Sequence, residues 1–189
     1  MEIIVEERTR QCLQRVALQM RSQRWHLATV ESCTGGWVSA AITSLPGSSE
    51  WFDMGWVVYA NAAKMRYLGV DEECIATCGA VSQEVVAALM RGALALSTAD
   101  VVLAVSGVAG PGGGSGEKPV GTVWMGVQCR GEAAIVQCAH FAGDRQQVRW
   151  QAVQFVLELL DTTLLHKLGG NPSVSRGKGN ENGSGYSQK

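Results

Sequence analysis

The chain has 189 residues, 46% of them apolar, and its 16 Lys and Arg face 17 Asp and Glu for a formal net charge of −1. That size fits one domain with a real core, and the near-balance of charge excludes a protein that grips nucleic acid or an anionic membrane over a wide basic face. No apolar run approaches the roughly 18–20 residues of a membrane helix, and the opening stretch has neither the charge order nor the apolar centre of a signal peptide, so a cytoplasmic protein is expected.

Residues 8–24 read as a helix: Leu13, Val16, Ala17 and Met20 recur at helical spacing. Leu27–Val30 reads as a buried strand that runs into Glu31-Ser32-Cys33-Thr34-Gly35-Gly36. Trp37–Ser44 has helical composition, with Ser39, Ala40 and Ala41 small enough for close packing, and Pro46-Gly47-Ser48-Ser49 ends it. Phe52–Tyr59 is a second strand, strongest at Trp56–Tyr59. Asn61 is expected to cap a helix over Ala62–Leu68, closed by Gly69. Asp71–Thr77 is a short helix stopped by Gly79. Ser82 caps the next helix, whose inward face is Val85, Val86, Leu89, Ala93 and Leu96. Val101–Val105 is a continuous apolar strand of the kind covered on both faces.

Residues 107–119 form a glycine-rich loop. Val120–Gln128 and Ala133–Phe141 read as two strands split by a turn at Arg130-Gly131-Glu132. Asp144 caps a last helix with Val148, Ala152, Phe155, Val156, Leu159 and Leu160 facing in. Residues 169–189 have almost no core-forming side chains and are expected to be a disordered tail, leaving 1–168 as the domain. Helices alternating with strands, then two strands together, predict a three-layer α/β/α sandwich. Its sheet has about five strands, mostly parallel, with one antiparallel strand. Ligands bind such sheets at the carboxyl ends of strands.

Four strand exits therefore hold the candidate chemistry. In residues 31–36, Ser32 lies near a helix N-terminus whose N–H groups can hold an oxyanion; it is either a nucleophile or a cap. Cys33 is a rival nucleophile or a small buried residue. Lys64 falls in the first turn of its helix, at the end unfavourable to a cation. It is a base if burial lowers its pKa, and a solvated surface residue otherwise. Tyr59 either reaches the crevice with its hydroxyl or fills the core.

The loop beginning Ser106-Gly107-Val108-Ala109-Gly110-Pro111 lacks both the Walker A ending and a dinucleotide fingerprint. It either presents N–H groups to an anion or is a linker. Arg145 either forks onto a phosphate or carboxylate or pairs at the surface. The six cysteines are scattered and expected as free thiols. Cys74 and Cys78 have no second pair or His near in sequence to complete zinc, so no metal is expected.

In order and spacing, ESCTGG (31–36), PGSSEWFDMGWVVYANAAK (46–64), GAVSQEVV (79–86), VSGVAGPGGGSGEKPVGTVW (105–124) and FAGDR (141–145) resemble the CinA C-terminal domain family. That family includes stand-alone nicotinamide mononucleotide deamidases. The resemblance covers about residues 8–168 and none of the larger N-terminal domain of full-length CinA proteins, whose activity is not carried over.

The resemblance implies hydrolysis of the carboxamide of nicotinamide mononucleotide to nicotinate mononucleotide and ammonia, in pyridine-nucleotide recycling and without a cofactor. It implies a Ser–Lys site with Ser32 as nucleophile, Lys64 as base and Tyr59 relaying or orienting the proton. Cys33, Thr34, Gly35, Gly36, Ser48, Asn61, Ser106, Gly107, Gly110 and Arg145 fall in segments expected to bind substrate. Related domains suggest a homodimer. The segment usually resembling YSNEAK is YANAAK here, so a hydroxyl and a carboxylate beside the site are missing. The alternative function is a module of the same fold that binds a pyridine nucleotide or a protein without turnover.

Overall fold

The computed structural model describes residues 6–169. Their elements, in order, are α1 (Glu7–Gln23), β1 (Leu27–Glu31), α2 (Trp37–Thr43), β2 (Phe52–Val57), α3 (Asn61–Leu68), α4 (Glu72–Cys78), α5 (Gln83–Leu96), β3 (Val101–Gly107), β4 (Thr122–Cys129), β5 (Ile135–His140) and α6 (Arg145–Gly169). The expected tail lies outside the described residues except Gly169, which ends α6.

The sheet order is β2-β1-β3-β4-β5. β1 pairs parallel with β2 and β3, whereas β4 pairs antiparallel with both β3 and β5. One strand, β4, therefore runs against the other four. The expected architecture is present, but β4 makes two antiparallel pairings where the two-strand reading supplied one.

Period-2 alternation assigns the two faces. Leu27, Val101, Leu103, Val105, Met125 and Val127 pack with α1, α2 and α6. Ala28, Val30, Val102 and Ala104 pack with residues of α3 and α5. β3, the middle strand, is buried over its first six residues, as its unbroken apolar run requires.

Of its two alternatives Tyr59 does not fill the core, and one expectation about burial, that for Leu96, fails. β2 is an edge strand with exposed Met54 and Val57, and Tyr59 beyond it is 58% exposed. Leu96 is 61% exposed because α5 ends there, past its last turn against the sheet. Gly92 sits where α5 meets the helix that carries Lys64. A Cβ there would collide with the Leu68 carbonyl, so glycine lets α5 close onto the end of α3.

Candidate active site

The carboxyl ends of β1 and β3, the chain leaving β2, the α4–α5 turn and the start of α6 enclose a cleft of about 290 Å³. That is near the small end of the range for ligand pockets, about 300–1,000 Å³. It brings together Ser32, Cys33, Tyr59, Asn61, Lys64, Ser106, Gly107, Gly110 and Arg145.

Ser32 follows directly on β1 and is 8% exposed; its N–H donates to the Val105 carbonyl at 3.0 Å, which ties the turn to β3. Cys33 is 5% exposed, and burial pushes its thiol up to about 12. A thiol so placed stays protonated at neutral pH, so it holds no standing thiolate.

Lys64 is the fourth residue of α3 and only 1% exposed. Its Nζ donates to the Tyr59 carbonyl at 3.0 Å. Among the described residues no carboxylate pairs with it, and desolvation lowers its pKa below the usual 10.5. The carbonyl anchors the amine without supplying a counter-charge, so burial dominates, with Cys33 pulling more weakly the other way. Lys64 and Ser32 line one cleft without being hydrogen-bonded to each other.

Tyr59 serves Lys64 through its backbone. Its hydroxyl lies elsewhere and accepts from Arg145 at 2.9 Å, while the other arm of that guanidinium donates to the Gly110 carbonyl at 2.8 Å. Arg145 thus links the β2 exit to the glycine-rich loop at the cleft mouth. Ser106 is 1% exposed and donates its hydroxyl to the Ala80 carbonyl at 2.7 Å, fixing the α4–α5 turn. Ala109, Gly110, Gly112 and Gly113 have backbone N–H groups without a partner among the described residues.

Several expectations are corrected. The N–H groups at the start of α2 are not free for an oxyanion. Those of Gly36, Val38 and Ser39 donate to the Glu31 carboxylate at 2.9, 3.1 and 2.9 Å, and the Ser39 hydroxyl donates to it at 2.8 Å. Ser32 is not a cap, since Gly36 holds that position. Cys33 and Thr34 keep N–H groups without a partner among the described residues. Asn61 is not the cap of α3 either; Ala60 occupies it and Asn61 is the first helical residue, its side chain left to the cleft.

Thr34, Gly35 and Gly36 do not line the cleft. Thr34 is fully buried, and the two glycines take positive φ (59° and 94°) to turn the chain into α2. Ser48 lies at the other end of the molecule. α2 has by then returned to the amino end of the sheet, where Trp51 accepts from the first N–H of β1 at 2.8 Å.

Sequence reasoning missed Ala80 and Val81, whose small apolar side chains carry no chemical signal although GAVSQEVV marks their segment. It also missed Glu31 as the partner of α2 and Arg149, which donates to the Thr34 carbonyl at 2.7 Å. Only the spacing of Arg145 and Arg149, one turn apart on a helix, was there to be read.

Comparison with known proteins gives the family. The profile of the CinA C-terminal domain matches residues 9–164. The chain is 50% identical over 144 residues to nicotinamide-nucleotide amidohydrolase PncC of Pseudomonas putida, covering 76% of this chain and 89% of that one. It is 44% identical over 153 residues to the protein of that name from Enterobacter agglomerans, covering 81% and 93%. The crystal structure of competence/damage inducible protein CihA from Agrobacterium tumefaciens superposes with a TM-score of 0.82 at 36% identity, covering 87% of this chain and 99% of that one. A CinA superfamily protein from Klebsiella pneumoniae 700603 gives 0.80 at 38% identity, covering 84% and 98%. With its five-stranded sheet, its cleft at the strand exits and a match running from α1 into α6, the chain belongs to the CinA C-terminal domain family.

Proposed function

We propose that the protein is a nicotinamide-nucleotide amidohydrolase that converts nicotinamide mononucleotide and water to nicotinate mononucleotide and ammonia, within pyridine-nucleotide recycling. The observation that carries this reading is the buried Lys64 amine, unpaired with any carboxylate among the described residues, in one cleft with the Ser32 hydroxyl. The names of relatives 44% and 50% identical supply the substrate.

The neutral Lys64 amine takes the Ser32 proton, directly or through one water once substrate is bound. The Ser32 oxygen attacks the carboxamide carbon, and the carbonyl oxygen becomes an oxyanion. The unpartnered N–H group of Cys33, which lines the cleft, is the nearest donor in sequence to that oxygen, because Glu31 occupies the start of α2. Protonated Lys64 returns its proton to the nitrogen, the C–N bond breaks, and ammonia leaves a Ser32 ester. Water, deprotonated by Lys64, resolves the ester and restores the Ser32 hydroxyl. Tyr59 acts by holding Lys64 through its carbonyl and Arg145 through its hydroxyl. Arg145 offers the cleft mouth a cation for the substrate's phosphate. The absent hydroxyl and carboxylate of the YANAAK segment belong to neither step. A homodimer and a cytoplasmic location are part of the same proposal.

Ammonia release from nicotinamide mononucleotide, measured without added metal, tests it. Ser32→Ala and Lys64→Ala remain folded and lose nearly all turnover. Calorimetric binding of the nucleotide by a wild-type protein that releases no ammonia would establish the binding-module alternative instead.

A further inference from the structure

The turn that carries Ser32 is held from two sides. Inside, the Glu31 carboxylate gathers the start of α2. Outside, α6 grips the same turn through two consecutive residues. The Arg149 guanidinium carbon lies 3.7 Å from the centroid of the Trp37 ring, and Trp150 meets that ring edge-on at 6.4 Å and 67°. An Arg149 Nη donates to the Thr34 carbonyl at 2.7 Å, a contact between residues 115 apart in the chain. A Cβ on Gly35 would come within 3.3 Å of that same guanidinium, so the turn is bare where Arg149 lies on it.

This contact is costly. The Arg149 Nε is buried without a partner, no carboxylate pairs with the side chain among the described residues, and Arg145 adds like charge one helical turn away. Such an arrangement persists where it serves something besides stability. Nε is shut off from solvent, and Arg149 does not line the cleft, so it is not a ligand for substrate.

We propose that Arg149 is a positioning residue for Ser32: by clamping the Thr34 carbonyl and stacking on Trp37, it fixes the residue 32–36 turn against α6 and so fixes the approach of the Ser32 oxygen to the carboxamide. The catalytic part rests on the amidohydrolase function proposed for this cleft; the clamp itself does not. Exposed Arg145 meets the ligand, and half-buried Arg149 holds the turn.

The test uses Arg149→Gln, which removes the charge and the fork, and Arg149→Lys, which keeps a cation able to reach the carbonyl. Two readouts are taken on each. Kinetics of ammonia release from nicotinamide mononucleotide give kcat and KM. Alkylation of Cys33 by iodoacetamide in the native protein, followed by peptide mass spectrometry, reports the turn without any turnover. Arg149→Gln lowers kcat about 10- to 100-fold, the cost of a misplaced reacting group. Its KM stays within about twofold, since a residue away from the ligand leaves ground-state binding alone. Its Cys33 is alkylated at least about tenfold faster, as expected when a local opening equilibrium is loosened. Arg149→Lys recovers part of both. Unchanged kcat in Arg149→Gln, or a rise confined to KM, overturns the positioning of Ser32. Cys33 as protected as in the wild type overturns the clamp. A wild-type protein without ammonia release instead removes the amidohydrolase reading, and the Cys33 rates still decide whether Arg149 holds the turn.

Discussion

Replacing Lys64 by Met removes the amine and keeps an unbranched stem of similar length in the same buried slot. Two stability effects then oppose each other. The Tyr59 carbonyl, in a part-buried bond, loses the donor 3.0 Å away, and an acceptor left alone costs at most about 1–3 kcal/mol. Against this, the folded protein no longer buries an ammonium, the desolvation that already lowers the pKa of Lys64. The net change is small, and the melting temperature moves by a few degrees, at about 2–4 °C per kcal/mol for a chain of this size. Activity has no such compensation. Loss of a positioned general base costs about 10²–10⁴-fold in rate, or about 3–5 kcal/mol of barrier at 1.36 kcal/mol per decade. Lys64→Arg sharpens the comparison, because a guanidinium keeps the charge but does not give up its proton near neutrality. The assay is initial-rate ammonia release, with circular dichroism melts on the same samples. A folded Lys64→Met protein within about tenfold of the wild-type rate, or an active Lys64→Arg protein, refutes the assignment of Lys64 as the base.

Because the folded Lys64 pKa is lowered, kcat/KM rises with pH through a value below 10.5 as the amine loses its proton; a flat profile there contradicts the role. Between that lowered value and 10.5 the unfolded chain binds a proton that the folded chain does not. Wild-type stability relative to Lys64→Met therefore increases with pH across that window, read as denaturant midpoints at a series of pH values. Cys33→Ser keeps its ammonia release within about threefold of wild type, since the proposed covalent intermediate forms on Ser32 and the Cys33 side chain takes no part in it; a loss as large as that of Ser32→Ala reassigns the nucleophile to Cys33. Glu31→Gln leaves part of a four-donor set unsatisfied and lowers urea-unfolding stability by about 2–4 kcal/mol.

Most of the fold was legible because each element carries its own signal. The unbroken Val101–Val105 run marks a strand covered on both faces, and Leu13, Val16, Ala17 and Met20 mark one face of a helix; all are buried. Ser32, Lys64 and Arg145 were found because each stands at a strand exit or helix start, where topology puts ligands. The features that stayed hidden depend on groups distant in sequence or on competition between neighbours. Asn61 is the better cap by residue type, yet Ala60 takes the position and leaves Asn61 facing the cleft. Free N–H groups at the start of α2 were a fair expectation until Glu31, itself in β1, folded back to occupy them. Ser48 was expected at the site from the resemblance alone, but α2 has already carried the chain to the far end of the sheet. Arg149 and Thr34 meet only after the whole sheet is assembled between them.

The direction of β4 has a consequence for how this family can diversify. Because β4 runs back along β3, with Gly107 opposite Val123, the glycine-rich connection leaves and re-enters the sheet at one rim, that of the cleft. Its length is decoupled from strand register, and lengthening such a connection costs little closure entropy. The wall of the pocket is thereby a segment open to insertion and deletion, where the shape offered to a substrate can change while Ser32 and Lys64 stay anchored to β1 and α3.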